Sequence, residues 1–115
     1  MGSIQRHRLR GAAAFAGIFQ RGRRIDGENL QLLALAAALP HGRVGYVIAR
    51  KQLSRAVDRN LLRRLLREAV RSRRPGIESF DIIFRLRRGC TRSEIRGLSL
   101  EAAALMDFLV RSSIK

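Results

Sequence analysis

Apolar residues fall into blocks of two periods along this chain. In LRGAAAFAGIFQR (residues 9–21), an Ala-rich stretch sets Phe15, Ile18 and Phe19 on one side, predicting a short helix capped by Gly22. The QRGRR that follows reads as a basic turn. NLQLLALAAAL (29–39) contains helix-favouring Leu and Ala, yet PHG ends it and the β-branched run RVGYVIA (43–49) comes next. That arrangement predicts two strands paired through a hairpin turn at PHG. Gly45, inside the second strand, permits close backbone approach.

The strongest helical pattern covers residues 55–72, with Ser54 as N-cap and RPG (74–76) as the stop. FDIIFRL (80–86) then alternates as a strand, interrupted by Asp81 and Arg85. Thr91 and Glu94 form a capping box for a closing helix that carries Ile95, Leu98, Leu105, Phe108 and Leu109. Gly97 weakens its first turns. The class that follows is α+β with a small sheet, one domain over residues 1–115. Residues 1–8 read as a flexible basic arm.

On a helical wheel the 55–72 segment divides into two halves. Arg55, Arg59, Arg63, Arg67, Arg71 and Arg64 occupy one half, with Asn60 among them; Leu61, Leu62, Leu65, Leu66, Ala69 and Val70 occupy the other, beside Val57. A solvated helix usually mixes its charges. Here residues 50–74 hold ten bases, including Arg50 and Lys51, against only Asp58 and Glu68, which read as helix-supporting partners. Like charges at i,i+4 oppose one another by a few tenths of a kcal/mol per pair, whereas phosphates relieve that repulsion. Anionic lipid would relieve it too, but the apolar half lacks interfacial aromatics.

Whole-chain composition sharpens this picture. Lys and Arg number 24 against 9 acids, a net charge of +15, and 22 of the 24 are Arg. Charge of that size calls for a polyanionic partner, and guanidiniums suit phosphate and base contacts. Cys90 is the only cysteine, which excludes an internal disulfide and a Cys-based zinc site. His7 and His41 lack ligand spacing, and no carboxylate pair or phosphate-cradling Gly loop is evident. No catalytic residue, protein-bound cofactor or small-molecule substrate is therefore expected. The longest apolar run, Leu30 to Leu39, is too short to span a bilayer, and the N-terminus lacks a signal peptide's apolar region. A cytoplasmic location is expected, although the basic, acid-free start also suits an organellar targeting helix.

The run ARKQLSRAVDRNLLRRLLREAVR resembles the signature of the bacterial ribonuclease P protein component family. Its places are a basic pair (Arg50, Lys51), Arg55–Ala56, Arg59–Asn60, Arg63–Arg64 and Arg67–Glu68. Upstream, Phe15, Phe19 and Gly22 resemble the family's F-x-x-x-F-x-x-G segment, and RVGYVIARK its strand before the Arg-rich helix. The resemblance implies an α-β-β-β-α-β-α two-layer sandwich with a left-handed βαβ crossover, as in domain IV of elongation factor G. It also implies the non-catalytic subunit of an endoribonuclease that removes the 5′ leader from precursor tRNA. In that particle the RNA subunit carries out hydrolysis with Mg²⁺.

By the same resemblance, Arg50, Lys51, Arg55, Arg59, Asn60, Arg63, Arg64, Arg67 and Arg71 are expected to bind the catalytic RNA and the start of the leader. Phe15, Phe19 and Leu33 are expected to line a leader-binding cleft, although an i,i+4 Phe pair on a short helix equally suits a core. Leu61 departs from the pattern, standing where many members have a further basic residue. Leu32 and Leu33 stand where some members carry an aromatic on the cleft wall. The alternative is a ribosomal or other structural RNA-binding protein, which would share the charge and fold but not the Phe15/Phe19 segment.

Overall fold

The predicted blocks become three α-helices and four strands in the computed structural model, which describes residues 8–113. Helix α1 spans Ala12–Arg21, and three strands follow: β1 (Arg23–Asp26), β2 (Leu30–Ala36) and β3 (Val44–Val47). Helix α2 (Ala56–Arg71), a 3₁₀ turn (Gly76–Ser79), β4 (Phe80–Leu86) and α3 (Arg92–Ser113) complete the chain. The order is the α-β-β-β-α-β-α expected of the class.

Two expectations about the sheet are corrected. QRGRR is not a turn: the chain leaves α1 and enters β1 directly. Gly22 makes this possible, since it is extended, its N–H donates to the Ile18 carbonyl at 2.8 Å, and an added Cβ would lie 2.4 Å from that oxygen. Exposed Arg23 and Arg24 obscure the strand, in which only Ile25 is buried. Nor do β2 and β3 form a hairpin. The sheet order is β1-β2-β4-β3, with β4 antiparallel to β2 and parallel to β3. β4 takes the place between them because both its faces are apolar enough for a central strand: Ile82, Ile83 and Phe84 are all buried.

Two cores flank the sheet. On one face, Leu30, Leu32, Ala34, Ile82, Phe84 and Leu86 meet Leu62, Leu66 and Val70 of α2 and the apolar stripe of α3. Burying each large side chain of this set stabilises the fold by about 1.5–3 kcal/mol. On the other, Leu33 and Ile83 meet Ile18 of α1 and Leu9, with Phe15 and Phe19 packed around them.

Helix ends follow local chemistry. At the start of α2, Arg55 is the N-cap rather than Ser54, and no side chain caps it. Asp58 lies in the first turn, where a carboxylate suits the helix dipole. It is also buried, and it pairs with Arg92 at the start of α3, tying the two helices together. At α3 the capping box is present: the Glu94 carboxylate accepts the Thr91 N–H at 2.7 Å. That bond and one from the Thr91 hydroxyl hold the Glu94 carboxyl below its usual range.

Candidate nucleic-acid interface

β3 lies at the sheet edge, and beside it opens a cleft of about 980 Å³ that reaches α1 on one side and α2 on the other. Six arginines line it: Arg8, Arg10, Arg63, Arg67, Arg71 and Arg74; no acidic residue does. Arg63, Arg67 and Arg71 arrive there because an i,i+4 spacing stacks them along one side of α2. Arg8 and Arg10 arrive by another route. Arg8 bridges to Val44, the Leu9 N–H donates to the Val44 carbonyl at 3.0 Å, and Leu9 is buried. Gly11, at a φ of 89° open mainly to glycine, then turns the chain into α1.

Phe15 forms part of the opposing wall, and its ring lies directly on β3. A Cβ at position 45 would come within 2.5 Å of the Phe15 Cζ atom, so only glycine admits this approach. The close contact expected at Gly45 is therefore with a side chain, not a backbone. Tyr46, next along the strand, also lines the cleft. Burial pushes its hydroxyl pKa up to about 12, against the opposing pull of the Arg67 and Arg74 charges.

A second groove, of about 440 Å³, runs between α2 and α3. Asn60, Arg64 and Arg67 line it from α2, Arg92 and Arg96 from α3, and Val57 and Leu61 add apolar surface. Asn60 is exposed and accepts a hydrogen bond from Arg63 at 3.2 Å. Its place on the cationic side thus has a local reason: it holds a neighbouring guanidinium. Arg67 lines both cavities.

Among the expected site residues, then, Phe15, Arg63, Arg67 and Arg71 meet in the cleft, while Asn60 and Arg64 meet in the groove. Arg50, Lys51 and Arg55 are exposed but line neither. Arg59 turns back toward its own loop, donating to the Leu53 and Ser54 carbonyls at 2.8 and 2.9 Å. Phe19 is half-buried on the Leu9/Ile18/Leu33/Ile83 cluster, outside the cleft. Leu33 is corrected outright: it is 0% exposed, since strand alternation points it beneath α1. Leu32 points the other way and is equally buried, in the larger core.

The flexible arm expected over residues 1–8 lies outside the described residues except for Arg8, which is held by its bridge to Val44. Sequence reasoning missed Arg8, Arg10, Arg74 and Tyr46 in the cleft, and Arg92 and Arg96 in the groove. The buried Leu9 between two arginines was the available signal for the first pair. Among the described residues no three His, Cys, Asp or Glu side chains converge as a metal site, and no helix is long and apolar enough to cross a membrane.

A small, strongly basic α+β protein with a parallel β3–α2–β4 unit and an arginine-lined cleft at the sheet edge is thus defined. The ribonuclease P family model matches residues 4–109. The ribonuclease P protein component of Chromohalobacter salexigens is 39% identical over 89 residues, which cover 76% of this chain and 70% of that one. That of Pseudomonas paraeruginosa is 33% identical over 106 residues, 91% of this chain and 78% of the relative. In structure, the Staphylococcus aureus RNase P protein matches with a TM-score of 0.75 at 24% identity, covering 90% of this chain and 94% of its own. The Thermotoga maritima RNase P protein matches with a TM-score of 0.70 at 25% identity, covering 94% and 98%. The chain belongs to the ribonuclease P protein component family, which places it in a tRNA-processing ribonucleoprotein endoribonuclease.

Proposed function

We propose that this protein binds the RNA subunit of ribonuclease P and holds the 5′ leader of precursor tRNA in the cleft, so that the RNA subunit, with Mg²⁺, cleaves the leader in the cytoplasm. The observation that carries this reading is the cleft lining: six arginines without an acid, facing one aromatic wall. Such a surface tracks a phosphate backbone while a base stacks on the ring, which is how single strands are held without sequence readout. The α2–α3 groove, with Asn60, Arg64 and Arg96, adjoins the cleft through Arg67 and suits backbone contacts to the folded RNA subunit.

The protein's part is binding and charge compensation. Guanidiniums along α2 neutralise phosphates where leader and RNA subunit converge, which lowers the ion concentration the particle needs. Reconstitution with a bacterial ribonuclease P RNA at low Mg²⁺ tests this. Precursor-tRNA cleavage should be faster with the protein than without it; equal rates would overturn the reading.

A further inference from the structure

We infer that Tyr46, the chain's only tyrosine, is an RNA-contacting residue of the cleft, its hydroxyl donating a hydrogen bond to a leader phosphate oxygen held between Arg67 and Arg74. The inference rests on the proposed function and names a partner within it.

Three observations carry it. The ring of Tyr46 packs with the larger core, on the α2 side of the sheet, so its position is fixed. A buried tyrosine normally finds a partner for its hydroxyl. Here the hydroxyl makes no hydrogen bond to any described residue, and among those residues no buried side-chain polar atom is left unsatisfied; the half-buried Tyr46, which lines the cleft, therefore leaves its hydroxyl open to a partner there. Finally, its charged surroundings are cationic: Arg67 from α2 and Arg74 from the loop that follows it. Of these, Arg74 is tied to Glu78 at 3.7 Å, while Arg67 has no ion pair among the described residues.

A neutral donor standing beside guanidiniums complements an anion, because each adds a hydrogen bond to oxygens that one arginine leaves unfilled. A tyrosine hydroxyl keeps its proton throughout the physiological range, so the group stays a donor. Phenylalanine would fill the same core volume without that bond. The sequence already contained the residue, but its position in the β-branched run RVGYVIA gave it a purely structural reading.

Tyr46→Phe is the test, because it removes one oxygen and leaves the ring in place. Binding to precursor tRNA should weaken roughly ten-fold in the reconstituted particle, as for a lost hydrogen bond to a charged group. The salt dependence should be unchanged, whereas Arg67→Ala should lower it by about one charge. The loss should vanish with leaderless tRNA and persist with an all-deoxyribose leader. Unaltered affinity in Tyr46→Phe, with wild-type binding intact, would overturn the inference alone; a wild-type protein that leaves leader binding unchanged would overturn the underlying reading. Loss confined to a ribose leader would overturn the phosphate assignment in favour of a 2′-hydroxyl. Equal loss with leaderless tRNA would do the same for the leader.

Discussion

Asp58 and Arg92 show how unequal the two ends of one ion pair can be. The Asp58 side chain is 9% exposed and that of Arg92 59%. Removing Asp58 frees a guanidinium to hydrate, whereas removing Arg92 strands a carboxylate in the interior. Arg92→Ala should therefore destabilise by about 2–3 kcal/mol and Asp58→Ala by about 1 kcal/mol, read from urea unfolding midpoints. Equal losses would mean the carboxylate finds solvent. At this scale the sequence was partly legible. Gly45 announced a close approach, and Asn60 stood out among arginines. Arg59 did not announce that it bonds its own loop, since a helical wheel records direction and not reach. Leu33 was misread for a related reason: both faces of β2 are covered, so alternation along it separates two cores rather than core from cleft.

Elements were more legible than their partners. β4 runs over the predicted residues, and α2 is shorter than predicted by one residue at each end. Hydropathy says which residues are strand but not which strand lies alongside, so the placement of β4 between β2 and β3 was out of its reach. β1 was hidden by its exposed charges. Long-range locks between elements are equally silent in sequence. Glu101 of α3 accepts the Asn29 N–H, the Leu30 N–H and the Asn29 side-chain amide at 2.8, 2.7 and 3.0 Å, fastening α3 to the start of β2. A Cβ at Gly27 would lie 2.3 Å from that carboxylate, which explains the glycine in the β1–β2 turn. Glu101→Ala leaves two backbone donors without their acceptor and should destabilise by about 2–3 kcal/mol. Thermal unfolding of the variant checks it, and an unchanged midpoint would show that water replaces the carboxylate at no loss.

The whole molecule carries a net charge of +15, and five ion pairs are present among the described residues. Repulsion between the cleft arginines should therefore outweigh the attraction those pairs provide. Raising KCl from about 0.1 M to about 1 M shortens the screening length from about 10 Å to about 3 Å. The urea midpoint of the free protein should rise over that range; a fall would show that its ion pairs dominate. Binding to RNA should respond in the opposite sense, weakening as salt rises.

The clip that Arg8 and Leu9 make on Val44 bears on solubility as well as on the cleft. A sheet has two borders, and each is a template on which a foreign strand can grow. Along β1 the border is short, and Arg23 and Arg24 are exposed on it. Along β3 there is no charged residue between Val44 and Val47, and the chain's own N-terminal segment occupies the start of the border instead. Leu9 thus serves as an anchor that holds the chain's own backbone over the start of an apolar strand, where a second copy could otherwise pair.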